Sequence, residues 1–301
     1  SGEWSVLETG TKAIIAAVRS RTSVRVEGHD YKWIFISAED FGVRDARAKY
    51  EDRKIAFMNI DEQAKVKLKL LGEAISTALN FLHEKGMPFK PFKITTSSKE
   101  LQISIDGKPR KVGFGSSAAV VVAAIAAILD FYGYNATKEE LYKLSTIAHY
   151  FAQGKVGSSF DVAASTYGGV FVYSRFDPEW LTKEVEDGKK ISDIVTKKWP
   201  GFYLEELEMP KDLRLLIGWT KEEASTPSMI KQMNEFKNRN PCTYKKLVDE
   251  VAECAYLSTL ACRESAWHTF LLELRKSEKA LSELGKTSGV NIETPDLKLL
   301  S

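Results

Sequence analysis

Residues Ala118 to Leu129 form an unbroken apolar run, and directly before it stand Lys111, Val112, Gly113, Phe114, Gly115, Ser116 and Ser117. At about twelve residues the run falls short of the roughly 20 that a membrane-spanning helix needs. It must therefore be enclosed by protein, with its polar mouth held in one place. Glycine permits torsions and close approach that other residues resist. A helix beginning right behind such a loop offers unpaired N–H groups and a positive dipole end, which suit a phosphate. Ser116 and Ser117 can add hydroxyl donors or a magnesium ligand, and Lys111 a full positive charge. The pattern alone also fits a serine cap after an ordinary glycine turn. It is neither a Walker A loop, since GxxxxGK[ST] is absent, nor the dinucleotide fingerprint, since the third glycine is missing.

The rest of the chain narrows the setting. With 301 residues it has room for one large domain or two ordinary ones, and 44% hydrophobic with 28% charged residues is a soluble globular composition. Its 43 basic and 41 acidic side chains leave a net charge of +2, so no global field favours nucleic acid or an anionic membrane. Cys242, Cys254 and Cys262 are odd in number and lack CxxC spacing, which predicts reduced thiols in a cytoplasmic protein rather than disulfides or zinc ligands. The start shows no charged segment followed by an apolar export core.

Strand-like and helix-like pieces alternate. Lys12 to Val26 and Tyr31 to Ser37 read as strands, and Gln63 to Glu84 follows a helical period. Phe92 to Ile105 is strand-like with a charged turn at Ser98 to Glu100. Thr137-Lys138-Glu139-Glu140 is a capping box opening a helix that runs towards Ala152. Leu213 to Trp219 reads as a buried strand. From Ser225 the pattern is mostly long helices, broken at Pro241 and near Gly285. An α+β chain is expected, with a first domain over 1–208 and a second over 209–301.

A second loop, Gly154-Lys155-Val156-Gly157-Ser158-Ser159-Phe160-Asp161, is again rich in glycine and serine. Its Asp161 is either a helix cap or a functional carboxylate. A lysine, serines and an aspartate are the parts that phosphoryl transfer uses. Asp40-Phe41-Gly42 is a chance match to the protein-kinase triplet, because no HRD-type loop accompanies it. His29, His83, His149 and His268 show no metal spacing, and His149 reads as a satisfied, semi-buried residue.

Together these residues resemble the GHMP kinase superfamily, and within it the phosphomevalonate kinases. The lysine before G-[LF]-G-S-S stands as Lys111 to Ser117, and the G-S-x-x-D loop as Gly157 to Asp161. Gly2 to Glu8 resembles the family's GEY-x-V-x-E segment, and Ile217 to Glu222 the V-G-W-T-K-E stretch of the phosphomevalonate branch. The resemblance implies a two-domain GHMP fold, with an N-terminal domain like ribosomal protein S5 and a ferredoxin-like α/β C-terminal domain. It also implies a chain incomplete at both ends, since a PGK-like lysine segment and a third, glycine-rich motif are not matched.

The resemblance further implies an ATP- and magnesium-dependent kinase that converts mevalonate 5-phosphate to the diphosphate, in isoprenoid precursor synthesis. The alternatives are another GHMP kinase, such as mevalonate kinase, and a non-catalytic nucleotide-binding relative. Gly113, Phe114, Gly115, Ser116, Ser117 and Ala118 would bind ATP, with Ser117 on the magnesium side. Lys111 and Asp161 would be catalytic. Ser158, Lys155, Lys221 and Ser225 would face the acceptor. A small-molecule partner is implied, with no nucleic acid or membrane, and the oligomeric state is left open.

Overall fold

The computed structural model describes residues 1–105, 108–111, 113–218 and 226–293, with side chains described for all of these except 101–105, 108–111 and 226–227. The chain forms two compact units. Unit 1 gathers Ser1–Ala17, Gly168–Asp177 and the chain from Trp199 onward, while unit 2 comprises Val18–Tyr167 and Pro178–Lys198. This division does not follow a single cut at residue 208. The reason is the first strand, β1 (Ala13–Ala16), which leaves its sequence neighbours to pair antiparallel with β9 (Val170–Ser174), so that the start of the chain joins a later segment.

Unit 2 is built on β2 (Ser23–Gly28), β3 (Ile34–Ala38), β4 (Val43–Glu51), β5 (Lys54–Phe57) and β6 (Phe92–Ser97). They form one sheet in the order β2-β6-β3-β4-β5, antiparallel throughout except for the parallel β3–β6 pair. The buried and part-buried residues of β6 alternate along its length, as a half-covered strand requires. A hairpin follows, β7 (Gln102–Ile105) and β8 (Lys108–Lys111). The Asp40-Phe41-Gly42 triplet is structural: it ends a 3-10 turn, and the Asp40 carboxylate accepts the Ser98 backbone N–H at 2.6 Å.

Four helices complete the body of unit 2: α1 (Glu62–Glu84), α2 (Ser116–Phe131), α3 (Lys138–Ala152) and α4 (Phe160–Tyr167). The helical period seen from Gln63 becomes the buried face of α1, with Leu68, Leu71, Ile75, Leu79 and Leu82 inside. Asp61 caps its start by accepting the Ala64 N–H at 2.7 Å. Helix α2 packs against α1, α3, α4 and strand β2, which is why so little of its surface can be polar. Ala118, Val121, Val122, Ala124, Ile125, Ile128 and Leu129 are all buried. Truncating one such large side chain costs about 2–5 kcal/mol, so the helix is a rigid mount. The predicted capping box opens α3 as expected: Thr137 accepts the Glu140 N–H at 3.1 Å, and Glu140 accepts the Thr137 N–H at 2.8 Å.

After β9 the chain returns to unit 2 for α5 (Pro178–Glu186) and α6 (Ile191–Thr196). Lys143 of α3 is buried and donates to the Val195 and Lys197 carbonyls at 3.0 and 2.6 Å, which satisfies both the ammonium and the end of α6.

In unit 1, β10 (Tyr203–Glu206) pairs with β9 to finish a sheet of order β1-β9-β10. Three helices follow: α7 (Thr226–Arg239), α8 (Pro241–Arg263) and α9 (Trp267–Ser288). Pro241 opens α8 as predicted, its missing N–H falling where the helix has no partner for one. The break expected near Gly285 falls a turn later, and a further one was not expected. Gly285 is inside α9, whose end is the left-handed Gly289, and the added break is at residues 264–266. The expected strand from Leu213 is also not formed over residues 213–218. No described strand lies beside it to share a ladder, and Leu215, Leu216 and Ile217 are exposed. Trp219 lies outside the described residues. Among the described residues, no helix is long and apolar enough to cross a membrane.

Candidate active site

The mouth of α2 is the centre of the site. Gly113 and Gly115 both have left-handed backbones, with φ of 82° and 72°, and Gly115 is the N-cap. Gly115 has no side chain with which to cap the helix, and the first N–H groups of a helix have no partner within it. An anion placed there meets both those donors and the positive end of the helix dipole. Ala118 is fully buried, whereas Phe114 is exposed.

Two other helices bring polar groups to the same place. Asp161, in the first turn of α4, lies against the loop: a Cβ built on Gly115 would be 3.3 Å from the Cβ of Asp161. Asp161 also accepts the N–H of Val162 at 2.9 Å, which orients its carboxylate. His149, in the last turn of α3, places Nε2 3.2 Å from the Ser117 hydroxyl and 3.0 Å from the side-chain nitrogen of Gln153. Burial pushes the His149 imidazole below its ordinary 6.5, with the nearby Asp161 charge pulling the other way. The ring is therefore neutral at pH 7.

The predicted residues divide into groups. Gly113, Gly115, Ser116, Ser117 and Asp161 come together within unit 2, although Ser117 and Asp161 are 44 positions apart, with most of α2 and all of α3 between them. Ser158 is buried just before α4. Lys155 has a left-handed backbone, lies over the Phe151 ring at 5.6 Å, and forms an ion pair with Glu186 of α5. Lys111 ends strand β8, but its side chain, together with Lys221 and Ser225, lies outside the described residues. His149 is buried and hydrogen-bonded, as its sequence reading as a satisfied residue expects, but that reading does not include its contact with Ser117. The available signal was its place four residues before Gln153, at the end of the helix that leads into the second loop.

Residues 73–169, which contain both loops, match the family described as GHMP kinases N terminal domain. A phosphomevalonate kinase of a Streptomyces species is 30% identical over 306 residues, spanning 100% of this chain and 80% of the relative. The chain belongs to the GHMP kinase family. Solved structures agree with a GHMP fold. The Lin0012 protein from Listeria innocua superimposes with a TM-score of 0.84 at 27% identity, over 99% of this chain and 79% of the other. The Streptococcus pneumoniae phosphomevalonate kinase in complex with phosphomevalonate and AMPPNP gives 0.78 at 23% identity, over 100% and 80%. In GHMP terms, the uncapped mouth of α2 and the Asp161 turn are the two loops that the family model spans.

Proposed function

We propose that this chain transfers the γ-phosphoryl group of ATP to the phosphate of mevalonate 5-phosphate, giving the 5-diphosphate and ADP. The observation that carries the reading is the full-length likeness to a phosphomevalonate kinase, together with an uncapped α2 mouth facing Asp161. An acceptor phosphate oxygen attacks the γ-phosphorus. The bond to the β,γ-bridging oxygen breaks, and ADP leaves with the electron pair.

The acceptor is already an anion near neutral pH, because the second ionisation of such a phosphate lies around 6. Removing a proton is therefore not the main obstacle. Two like charges about 4 Å apart repel by roughly 4 kcal/mol at an effective dielectric of 20, and a cation between them offsets this. Lys111 is assigned that bridging role. The mouth of α2, over Gly113 to Ala118, holds the nucleotide phosphates. Asp161 positions the reacting groups, and Ser158 faces the acceptor, with Lys155, Lys221 and Ser225 as further contacts.

Oxygen donors are the ligands magnesium takes, and the Ser117 hydroxyl and Asp161 carboxylate fit that preference. Bound with the nucleotide, the metal would neutralise phosphate charge. Three free cysteines support a reducing compartment, and the reaction is assigned to the cytoplasm. The test is an ADP-release assay offering mevalonate and mevalonate 5-phosphate side by side. The phosphate is expected to be preferred at least 100-fold, and preference for the alcohol overturns the reading.

A further inference from the structure

His149 is buried at 4% exposure, yet its ring meets two polar side chains, Gln153 and Ser117, and the second belongs to the loop at the mouth of α2. A histidine that merely fills a core has no reason to reach Ser117. The partner on the other side, the amide nitrogen of Gln153, can only donate. Nε2 facing it at 3.0 Å is therefore an acceptor, with the ring proton on Nδ1. The same unprotonated Nε2 lies 3.2 Å from Ser117 Oγ, where it can receive only a hydroxyl proton.

We propose that His149 is a positioning residue that holds the Ser117 hydroxyl with its proton turned towards Nε2 and its lone pairs turned towards the mouth of α2. A hydroxyl carries one proton and two acceptor sites. Left free to rotate, Ser117 would present its proton to a cation for part of the time. Tied to His149, it presents oxygen alone. Gln153 and Ser117 both donate to Nε2 and share its single lone pair, so the two side chains together hold the imidazole and the hydroxyl in one arrangement at the mouth of α2. Outer partners of this kind change metal affinity or activity by about 10–100-fold when removed. The consequence for the metal rests on the phosphoryl-transfer reading above; the hydrogen-bond arrangement does not.

Two measurements on the full chain test it, and neither needs an acceptor substrate. Nitrogen NMR of the His149 imidazole is expected to show Nδ1 protonated, and Ser117→Ala should shift the Nε2 resonance. A protonated Nε2, or no change in Ser117→Ala, overturns the proposal. Calorimetry with a non-hydrolysable ATP analogue, with and without magnesium, gives the second readout. His149→Leu should weaken the magnesium-loaded nucleotide about tenfold and the metal-free nucleotide less than twofold. His149→Gln, which returns an acceptor oxygen, should recover most of the loss. Equal weakening of both forms, or no recovery by glutamine, overturns the proposal. Should His149→Leu fail to fold, His149→Gln and the NMR comparison still decide. A chain that passes these tests but phosphorylates no acceptor overturns the proposed function and leaves the role of His149 standing.

Discussion

The backbone of Gly115 lies so close to Asp161 that a single added carbon would stand 3.3 Å from the aspartate Cβ and 3.9 Å from its Oδ2. The two loops thus meet through the absence of a side chain. Gly115→Ala is expected to cost about 1–2 kcal/mol of stability from the left-handed backbone alone. It should also push Asp161 away from the α2 mouth, lowering turnover at least tenfold. Urea denaturation and steady-state kinetics check the two halves, and full activity in the variant would show that the close approach is incidental.

Asp161→Asn keeps the shape of the turn and removes one charge. Turnover should fall by about 10²–10³-fold, as when one electrostatic group of a site is lost, with nucleotide affinity changed by less than about threefold. Single-turnover kinetics with calorimetry separates the effects. A large loss of affinity with unchanged turnover would make Asp161 a binding residue instead.

Lys111→Ala should show the same asymmetry, because a charge between two phosphates matters most when they approach. The expected result is a fall in turnover of about 100-fold or more beside a few-fold change in ATP affinity. Unchanged turnover removes the bridging role.

In unit 1, Glu8 accepts from Lys237 Nζ and Tyr244 OH, both at 2.7 Å, and so ties the first residues to α7 and α8. Burial acts to raise the Glu8 carboxyl, but the hydrogen bonds of Lys237 and Tyr244 and the charges of Lys237 and Arg175 outweigh it and hold the carboxyl below its ordinary 4.5. The same burial, with Glu8 as acceptor, pushes the Tyr244 hydroxyl up. A lowered carboxyl contributes stability that is present above 4.5 and lost as pH falls through the folded value. Glu8→Gln should therefore be less stable than the parent by about 1 kcal/mol at pH 7, a modest figure because the pair is partly exposed. The difference should shrink as melting is repeated towards pH 3, and a gap that stays constant would show that charge is not its source.

Thr137→Ala removes one half of the capping box of α3 and should cost about 1 kcal/mol in urea denaturation. Since α3 also carries His149, a slight weakening of magnesium-nucleotide binding near the melting temperature is expected, with none at low temperature.

Local features were legible where local chemistry decides them. The α1 period, the Thr137–Glu140 box and the Pro241 start each depend on residues within a turn or two of one another. Both glycine-rich loops could be read because glycine at Gly113 and Gly115, and at Gly154 and Gly157, is demanded by backbone torsion, a property of single positions. What was not legible is contact at long range. Nothing near Ala13 announces that its partner is Tyr173, and nothing near Ser117 announces His149. The strand expected over Leu213 to Trp219 is not formed over residues 213–218 for the same reason: a strand-like string is only half of a strand, and the other half is a neighbour.

The pairing of β1 with β9 sets an order of events as the chain emerges from a ribosome. Ala13 cannot find its place until Tyr173 has been made, whereas β2 to β8 and α1 to α4 all lie between those two residues. Loop closure across so long a stretch is entropically costly while the stretch is unfolded and much less so once it is compact. Unit 2 is therefore expected to fold first and shorten the gap that unit 1 must close, so that a substitution weakening α2 would be felt as a delay in pairing β1 with β9.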